Sequence, residues 1–478
     1  METQRRDFIK GAAWMGAAAV AAGCVSSANG GVKLGGVGTM SGFAVKPIKK
    51  VRVGVVGLGN RGPGAVHRIA SIPGTEVAAL CDLYQNRVSA QQDWLKKNGK
   101  PAAKEFVGAE GWKAMCDWDG IDVVYCVTNW QTHVQIMLRA LNSGKHVLCE
   151  VPAALTLDDC WAVVETAEKV KLHCMQLENC CYGESEMLAL NLCRLGMLGE
   201  LVHGEGAYIH DLRGMCYAEW GQGGYYDYWR LRYNKDHPGN QYETHGLGPI
   251  CQYMNINRGD RFDYLVSVDS QQLGFHDYAA HHFPEGSWQR QWKIKMADMN
   301  TTIIKTAIGR TIMVQHDVAN ARPYSRINLI SGTRGILQDY QYRCAIEKTP
   351  GAGAHSYDGT FAENIRKEYM HPLWKKAGEI AKKVGGHGGM DFLMDLRWSY
   401  CLQNGLPLDM DVYDLASWCS LGELTEISAT NRGRSMDVPD FTRGGWKTAK
   451  PLGIVDIDLA KIGLDASAVG KDASALNV

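Results

Sequence analysis

The chain lacks the long apolar runs of a membrane protein and the charge excess of a nucleic-acid-binding protein. After the first 25 residues, no apolar run approaches the roughly 20 residues that a transmembrane helix requires. Basic and acidic residues number 51 each and no polybasic block stands out, so we expect no nucleic acid partner. With 45% hydrophobic and 21% charged residues, the 478-residue chain has the composition of a globular protein of about two or three domains.

The 15 cysteines have no spacing that would indicate a disulfide framework or a metal site. Several lie inside apolar runs, as Cys81, Cys126 and Cys149 do at predicted strand ends, so we expect small buried side chains. The adjacent Cys180 and Cys181 suit neither an ordinary disulfide nor a CxxC metal pair. We therefore predict no metal.

Residues 1–24 have the pattern of a twin-arginine export signal, although a short amphipathic start of the folded domain is the alternative. Arg5-Arg6 precede a small-residue, mildly apolar stretch at positions 11–23, and this export route carries folded proteins. Residues 21–24 match a lipobox except at Ala21, so Cys24 is either a lipid anchor or unmodified. Residues 25–49, rich in Gly, Ser and Val, are interpreted as a linker. We expect an exported protein, periplasmic or lipid-anchored at the cell envelope.

Strands and helices alternate from residue 51 to about residue 180. Val51–Val56 is a short, mainly β-branched run, typical of a buried strand. Similar runs are predicted at 76–81, 122–127, 146–149 and 172–177, with helices at 65–72, 84–98, 131–142 and 156–170 between them. This alternation predicts a doubly wound parallel sheet, the Rossmann architecture, over residues 50–180.

After residue 180 the predicted strands become longer. They are expected at 201–210, 262–273, 301–308, 311–316 and 325–331, and Gly309-Arg310 between two of them indicates a hairpin. Helices are expected at 391–403, packing against either domain, and at 413–430. The pattern predicts an α+β domain with a mostly antiparallel sheet over residues 181–437, followed by a tail at 438–478 that covers the surface. An exposed face of this sheet would favour a homodimer.

A glycine-rich turn follows the first strand. Gly57, Gly59 and Gly62 form a GxGxxG pattern between a predicted strand and a predicted helix, which is the context that dinucleotide binding requires. The glycines allow a tight turn, close approach to the pyrophosphate and close helix–strand packing, and the helix N-terminus offers N–H groups to the phosphates. Asp82, at the end of the second strand, would bind a ribose diol and repel a 2′-phosphate. The sequence therefore predicts NAD as cofactor.

Two further strand ends deliver polar and aromatic residues to the same edge of the sheet, where ligands bind in open α/β folds. Asn129, Trp130 and His133 follow one strand and are expected to line the nicotinamide half, with helix capping as an equal alternative for His133. Glu150-Val151-Pro152 follows the next strand.

These residues resemble the glucose-fructose oxidoreductase/inositol dehydrogenase/MocA-like superfamily over roughly residues 50–430. Its ordinary dehydrogenases carry Glu-Lys-Pro with a catalytic lysine, and Val151 at that position cannot transfer a proton. Longer blocks are instead similar to the NAD-dependent glycosidases of glycoside hydrolase family 109: ENCCYG at 178–183, WRL at 229–231, GNQYETHGLGP at 239–249, QYMNINRGD at 252–260 and RPYSR at 322–326.

The resemblance implies an α-N-acetylgalactosaminidase-like activity on a carbohydrate substrate, such as an N-acetylhexosaminide. Most glycosidases use a pair of carboxylates, and no such pair is evident in this sequence. The family instead oxidises the sugar transiently at C3, removes the C2 proton, eliminates the C1 aglycone, adds water and re-reduces C3, so that NAD is recycled.

The resemblance also implies roles for individual residues. Those expected to transfer protons are His245, Tyr182 and Tyr242. Those expected to bind substrate are Tyr208, Arg230, Tyr242, Thr244, His245 and Tyr324. Those expected to bind the cofactor are Gly57, Gly59, Asn60, Arg61, Gly62, Asp82, Asn129, Trp130, His133, Glu150, Val151 and Asn179. Two other functions stay open, an NAD-dependent sugar oxidoreductase and a non-catalytic sugar- or NAD-binding protein.

Overall fold

The computed structural model describes residues 40–464. The twin-arginine pattern at Arg5-Arg6, the lipobox cysteine Cys24 and the last 14 predicted tail residues, 465–478, lie outside the described residues. Within residues 40–464, no helix combines the length and the apolar character that crossing a membrane requires.

The first domain is a six-stranded parallel sheet with the strand order β3-β2-β1-β4-β5-β6. Its strands are β1 (Val51–Val56), β2 (Thr75–Asp82), β3 (Lys104–Val107), β4 (Val123–Cys126), β5 (His146–Cys149) and β6 (Cys174–Gln176). The predicted Rossmann sheet is confirmed. The order reverses between β1 and β4, and a crevice opens at such a switch point. Strand β3 was not predicted, because an edge strand with mostly exposed residues has no apolar run to reveal it.

Five helices connect these strands: α1 (Gly62–Ser71), α2 (Gln85–Lys97), α3 (Gly111–Asp117), α4 (Trp130–Asn142) and α5 (Leu157–Val170). Helix α5 begins after Thr156, whose side-chain oxygen accepts a hydrogen bond of 3.1 Å from the Asp159 backbone N–H. This N-cap satisfies a donor that a helix start otherwise leaves free. Every cysteine in the described residues is a free thiol, and all but Cys193 are buried, as expected.

The second domain contains an eight-stranded sheet with the order β13-β12-β11-β7-β10-β9-β8-β14. Its strands are β7 (Leu201–Ile209), β8 (Phe262–Asp269), β9 (Asn300–Thr306), β10 (Thr311–Asp317), β11 (Leu329–Gly332), β12 (Gly335–Gln338), β13 (Arg343–Ile346) and β14 (Met436–Asp437). All pairs are antiparallel except β7–β10, which confirms the predicted mostly antiparallel sheet. The hairpin at Gly309-Arg310 joins β9 and β10 as predicted.

The strand predicted at 325–331 is wrong at its start. Ile327 and Asn328 have φ values of 59° and 48°, which interrupt the extended backbone, so the regular strand begins at Leu329. The strand predicted at 262–273 also ends early, at Asp269, because Gly274 already opens a helix shortly afterwards.

The second domain adds ten helices to the described residues. They are α6 (Glu184–Arg194), α7 (Arg213–Tyr217), α8 (Trp229–Asp236), α9 (Thr244–Met254), α10 (Gly274–His282), α11 (Trp288–Gln291), α12 (Gly359–Tyr369), α13 (Pro372–Val384), α14 (Met390–Asn404) and α15 (Val412–Thr430). Helix α14 packs against the Rossmann domain: Asp395 accepts hydrogen bonds from Arg68 Nε at 2.7 Å and the Tyr125 hydroxyl at 3.0 Å.

The described part of the tail, residues 438–464, packs into the molecule as well as covering it. Val438, Phe441 and Ile457 are buried, and Arg443 Nη1 donates to both oxygens of the buried Glu168 on α5 at 2.9 and 2.8 Å. The tail therefore attaches to the Rossmann domain, although it follows the second domain in sequence.

Candidate functional site

The glycine turn after β1 leaves no room for side chains at two of its three glycines. Gly57 has a φ of 94°, and a Cβ atom there would lie 2.5 Å from the Val127 carbonyl oxygen. A Cβ atom at Gly62 would lie 2.1 Å from the Gly57 carbonyl oxygen. The bare backbone at the start of α1 is the shape that a dinucleotide pyrophosphate requires, so these residues fit NAD.

Asp82 lies at the end of β2 with its carboxylate turned toward the glycine turn. Its Oδ2 accepts a hydrogen bond of 2.7 Å from the Leu58 backbone N–H, and its Oδ1 accepts one of 3.1 Å from the Tyr84 N–H. Arg87 Nη1 lies 3.3 Å from the same carboxylate. The carboxylate is thus held in place beside the turn, where the sequence predicts a ribose contact.

Two of the predicted cofactor residues contact one buried carboxylate, Asp391 of α14, and a third contacts it through Arg61. The Asn179 amide donates to Asp391 Oδ1 at 2.6 Å, and Arg61 Nη1 donates to its Oδ2 at 3.1 Å. Arg61 also donates to Glu150 Oε1 at 2.9 Å. Burial disfavours the charge on Asp391, but the Arg61 and Arg68 guanidinium groups outweigh it and hold the pKa of Asp391 well below its ordinary range.

Trp130 and Asn129 occupy the turn into α4. The Trp130 ring stacks on the Tyr242 ring with centroids 5.6 Å apart and meets the Trp229 ring edge-on at 4.9 Å. Asn129 precedes the helix, and its side-chain oxygen accepts a hydrogen bond of 2.7 Å from the Thr132 hydroxyl. Trp130 therefore faces the second domain, at the place where the predicted substrate residues lie.

His133 connects two loops of the Rossmann domain through its ring nitrogens. It is fully buried, with Nδ1 2.9 Å from the Pro152 carbonyl oxygen and Nε2 3.0 Å from the Thr128 carbonyl oxygen. Both ring nitrogens are therefore engaged by the protein, and the structure does not place His133 along an open cofactor surface. Val151 is buried and offers only apolar surface.

His245 lies in the first turn of α9 and is oriented by a buried carboxylate. Its Nδ1 is 2.8 Å from Glu178 Oε1 and 3.0 Å from Oε2, and Glu178 follows β6 of the Rossmann domain. Burial opposes ionisation of Glu178, but the charge and hydrogen bond of His245 outweigh it and lower the pKa of Glu178. An imidazole held in this way by a carboxylate presents its other nitrogen, Nε2, for proton transfer.

Tyrosines surround the free nitrogen of His245. The Tyr242 hydroxyl lies 3.5 Å from His245 Nε2, and the Tyr208 ring is 4.6 Å from the Tyr242 ring and 5.3 Å from the imidazole. Burial raises the pKa of Tyr242 well above its ordinary value. Tyr242 therefore keeps its proton and acts as a hydrogen-bond donor. Thr244, fully buried, is the first residue of the same helix.

Arg230 is buried against this cluster with part of its guanidinium group free. Its Cζ lies 4.7 Å from the centroid of the Tyr242 ring, and its Nη1 donates to the Tyr225 hydroxyl at 3.0 Å. Nε and Nη2 are buried and have no hydrogen-bond partner among the described residues. Unsatisfied buried donors are costly, so a guanidinium group in this state is suited to an oxygen-rich ligand.

Tyr324 closes the same cluster from the edge of the second sheet. Its ring centroid lies 6.1 Å from that of Tyr208, and its hydroxyl accepts a hydrogen bond of 3.0 Å from Arg326 Nη1. Arg326 is itself fixed by the buried Glu186 at 2.6 Å. The Tyr324 hydroxyl proton is thus free to be donated to a ligand.

Tyr182 is not brought to this cluster. Its hydroxyl donates to Asp409 Oδ2 at 3.0 Å, and Arg397 Nη2 donates to the other oxygen of Asp409 at 2.7 Å. Burial raises the pKa of Tyr182 well above its ordinary value. Tyr182 is part of a buried polar network, and its contacts give no support to the predicted role in proton transfer.

Glu178, Asp391 and His387 belong to the site although no sequence motif identifies them individually. His387 lies in the run GGHGG at 385–389, where five consecutive residues have φ values of 92°, 85°, 46°, 73° and 107°. Its side chain is 55% exposed, and its Nδ1 lies 3.0 Å from Asp391 Oδ2 and 3.1 Å from Arg61 Nη1. Four glycines around one histidine were the signal in the sequence, because this backbone strongly favours glycine.

Two family models match the two domains. Residues 51–177 match "Oxidoreductase family, NAD-binding Rossmann fold", and residues 182–448 match "Glycosyl hydrolase 109, C-terminal domain". The chain belongs to glycosyl hydrolase family 109. An alpha-N-acetylgalactosaminidase of Bacteroides fragilis is 44% identical to this family 109 enzyme over 406 residues, which cover 85% of this chain and 95% of the relative. A family 109 protein of Shewanella pealeana is 44% identical over 459 residues, which cover 95% of this chain and 100% of the relative.

Solved structures with a similar fold are dehydrogenases and oxidoreductases. Levoglucosan dehydrogenase in complex with NADH and L-sorbose gives a TM-score of 0.61 at 17% identity and covers 82% of this chain and 99% of its own. An oxidoreductase domain protein of Kribbella flavida gives 0.63 at 17% identity, covering 82% and 100%. These likenesses concern the fold alone. The family match confirms the prediction of an NAD-dependent glycosidase.

In this glycosidase the residue after Tyr242 is a buried carboxyl group with one oxygen that has no hydrogen-bond partner. Glu243 is 2% exposed, its Oε1 has no hydrogen-bond partner in residues 40–464, and burial raises its pKa to about 8. The folded pKa exceeds the ordinary value of 4.5, so the stability from this group is fully present below pH 4.5 and is lost as the pH rises through about 8.

We expect Glu243→Gln to flatten this pH dependence, because the amide has no charge to bury. The melting temperature of the variant, measured relative to the natural protein, should rise between pH 5.5 and pH 9. The control is Glu379→Gln, whose parent side chain is 85% exposed. The difference in melting temperature between this variant and the natural protein should not change with pH. Parallel curves for the natural protein and Glu243→Gln would show that Glu243 is not the titrating group.

Proposed function

We propose that this family 109 enzyme hydrolyses N-acetylgalactosaminides by elimination and addition of water, with the cofactor returned unchanged in each turnover. The observation that carries the proposal is the Glu178–His245 pair, 2.8 Å apart, with Tyr242 at the free imidazole nitrogen. A sugar oxidoreductase, the alternative, would need a proton carrier at the position of Val151, which has none.

The cofactor would be held by the glycine turn, Asp82, Arg61 and Asn179. When bound, NAD+ would reversibly accept a hydride from C3 of the sugar while a base takes the C3 hydroxyl proton, and the resulting ketone would make the neighbouring C2 proton acidic. The protein's own residues then have to move protons and orient the sugar.

We assign the removal of the C2 proton to His245. With Nδ1–H donated to Glu178, Nε2 is the basic nitrogen, and the Glu178 carboxylate stabilises the imidazolium that forms. Tyr242, kept protonated by burial, donates a hydrogen bond to a sugar oxygen or to the imidazole. The free Nε–H and Nη2–H of Arg230 suit the acetamido carbonyl or a ring hydroxyl, and the aromatic rings of Tyr208 and Tyr324 suit the C–H faces of the sugar.

The test of the proposed chemistry is hydrolysis of α- and β-nitrophenyl N-acetylgalactosaminides in D2O. We expect cleavage without an added acceptor and deuterium at C2 of the released sugar, because the C2 proton exchanges with solvent during elimination. Protium alone at C2, across several cleaved substrates, contradicts elimination. Net formation of NADH from free sugars, without cleavage, supports the oxidoreductase instead.

We assign the protonation of the leaving aglycone to His387, because it is half exposed, held by Asp391, and next to Arg61 of the cofactor turn. His387→Ala should lower kcat about 100-fold for an alkyl or sugar aglycone, which needs a proton to leave, and only slightly for a nitrophenyl aglycone.

The matched control for His387 is His281→Ala, whose parent histidine is 72% exposed and should affect neither substrate. An equal loss of kcat with both kinds of aglycone would remove His387 from this role, since a structural defect does not depend on the leaving group.

We also propose a homodimer. Tyr264, Val266, Val268, Ile303 and Met313 lie on one face of β8, β9 and β10, by their register, and this face is half exposed or exposed. Ile303→Glu should convert the protein from dimer to monomer in sedimentation.

We further propose export by the twin-arginine route. Arg5-Arg6→Lys-Lys should keep the protein in the cytoplasmic fraction of expressing cells, and lipid at Cys24 would be detected by mass spectrometry.

A further inference from the structure

A loop of the second domain crosses the adenosine end of the cofactor site. This segment, the strap, comprises residues 219–226 (EWGQGGYY) between helices α7 and α8. Trp220 lies over the glycine turn, since its ring would be 3.6 Å from a Cβ atom at Gly59. The Gly224 carbonyl oxygen accepts a hydrogen bond of 3.2 Å from the Asn60 side chain. The strap therefore lies on the turn that is to bind the pyrophosphate.

Aromatic contacts attach the strap to the residues around Asp82. The Arg87 guanidinium group lies 4.2 Å from the Trp220 ring and 5.4 Å from the Tyr226 ring, while its Nη1 is 3.3 Å from Asp82. The Tyr84 and Tyr226 hydroxyls are hydrogen-bonded, and their rings meet edge-on with centroids 5.7 Å apart. Cation–π and aromatic pairs of this kind are individually weak, but here they act together.

The strap is a compact loop with its own backbone hydrogen bonds. Its backbone closes on itself, because the Gln222 and Gly224 N–H groups both donate to the Glu219 carbonyl oxygen, at 3.0 and 3.2 Å. Gly221 and Gly223 have φ values of 89° and 88° with no atom within 4 Å of a Cβ position. Trp220 and Tyr226 are 40% and 37% exposed, so the contacts between the strap and the Rossmann domain lie at the surface of the molecule.

The strap is also continuous with the substrate site. Tyr225, its next-to-last residue, accepts the 3.0 Å hydrogen bond from Arg230 and packs edge-on against Trp229 at 5.1 Å. Lifting Tyr226 from Tyr84 would pull on the neighbouring Tyr225 and so disturb the guanidinium group proposed to bind the sugar. A closed strap therefore accompanies an assembled substrate site.

We propose that the strap retains the cofactor: Trp220 and Tyr226, closed over Arg87, Tyr84 and the glycine turn, keep NAD bound through successive turnovers. This inference rests on the proposed hydrolysis, in which the cofactor returns to its starting state and has no need to leave. A dehydrogenase that exchanges its cofactor every turnover would be slowed by the same contacts.

The experiment measures release of the cofactor without any glycoside. The full-length protein is loaded with radiolabelled NAD+, chased with excess unlabelled NAD+, and the bound label is followed over time. We expect Trp220→Ala/Tyr226→Ala to release label at least tenfold faster than the natural protein. Tyr84→Phe, which removes one hydroxyl on the Rossmann side, should release it a few-fold faster.

The control is Trp288→Ala. Trp288 is a tryptophan of the second domain whose aromatic contacts, with Tyr217, Tyr228 and Trp292, stay within that domain. Unchanged release from both strap variants would overturn the inference, as would equal acceleration in the Trp288 control or loss of label from the natural protein within the mixing time. Because no sugar is present, these outcomes do not depend on the hydrolysis, and a protein that retains NAD but cleaves no glycoside would refute the proposed function alone.

Discussion

Replacing His245 by alanine is expected to lower kcat about 1,000-fold while leaving the cofactor bound. A positioned general base contributes roughly 10²–10⁴-fold to a rate, and no other described imidazole is both carboxylate-oriented and surrounded by the predicted sugar-binding tyrosines. Glu178→Gln should lower kcat less, by about 10–100-fold. The amide keeps contact with the imidazole ring but lacks the charge that stabilises the imidazolium. The measurement is kcat with a nitrophenyl N-acetylgalactosaminide, with the NAD content of each variant determined in parallel.

Two controls separate chemistry from folding in these variants. Melting temperatures within a few degrees of the natural protein would exclude unfolding as the cause. His281→Ala, at an exposed histidine far along the chain, should keep full activity. A His245→Ala enzyme that retains the natural kcat would show that the base is another residue.

Replacing Asp391 by alanine is expected to lower the free energy of unfolding by about 3–5 kcal/mol, the range for breaking a buried ion pair. The change leaves Arg61 without one of its two carboxylates and removes the 2.6 Å hydrogen bond that orients Asn179. Because the pKa of Asp391 is held low, the charged form contributes its stability above the ordinary value of 3.8 and loses it only in stronger acid.

Asp117 is the matched control for Asp391. It also pairs with an arginine, Arg139, but the two side chains are 44% and 48% exposed, so Asp117→Ala should cost about 1 kcal/mol or less. Urea unfolding at neutral pH gives both values. NAD affinity should fall in Asp391→Ala and stay unchanged in Asp117→Ala. Equal stability of the two variants would contradict the importance of the buried network.

The Rossmann sheet was predictable because its signals are local. Gly57, Gly59 and Gly62 are separated by a few residues, and the β-branched run before them identifies the strand that positions the turn. The second sheet was correctly predicted to be mostly antiparallel, but the residues at which some of its strands begin and end were not. Ile327 and Asn328 give no local sign of the positive φ values that delay the start of β11.

The site was only partly predictable because its decisive pairs are distant in sequence. His245 lies 67 residues from Glu178, and Arg61 lies 330 residues from Asp391, so no spacing rule connects them. Tyr182 shows the converse, because closeness in sequence does not bring its side chain to the site. It lies four residues after Glu178, but the short 3₁₀ helix at Asn179–Tyr182 turns its hydroxyl toward Asp409.

The Glu178–His245 hydrogen bond joins the segment that follows the last strand of one domain to the first turn of a helix in the other. Neither domain alone therefore contains both members of the proposed proton-transfer pair, and we expect a chain whose domains have formed but not docked to be inert toward glycosides. Glycoside hydrolysis would therefore indicate that the two domains have docked. If the pair transfers protons as proposed, this geometry confines hydrolysis to molecules in which the two domains have docked.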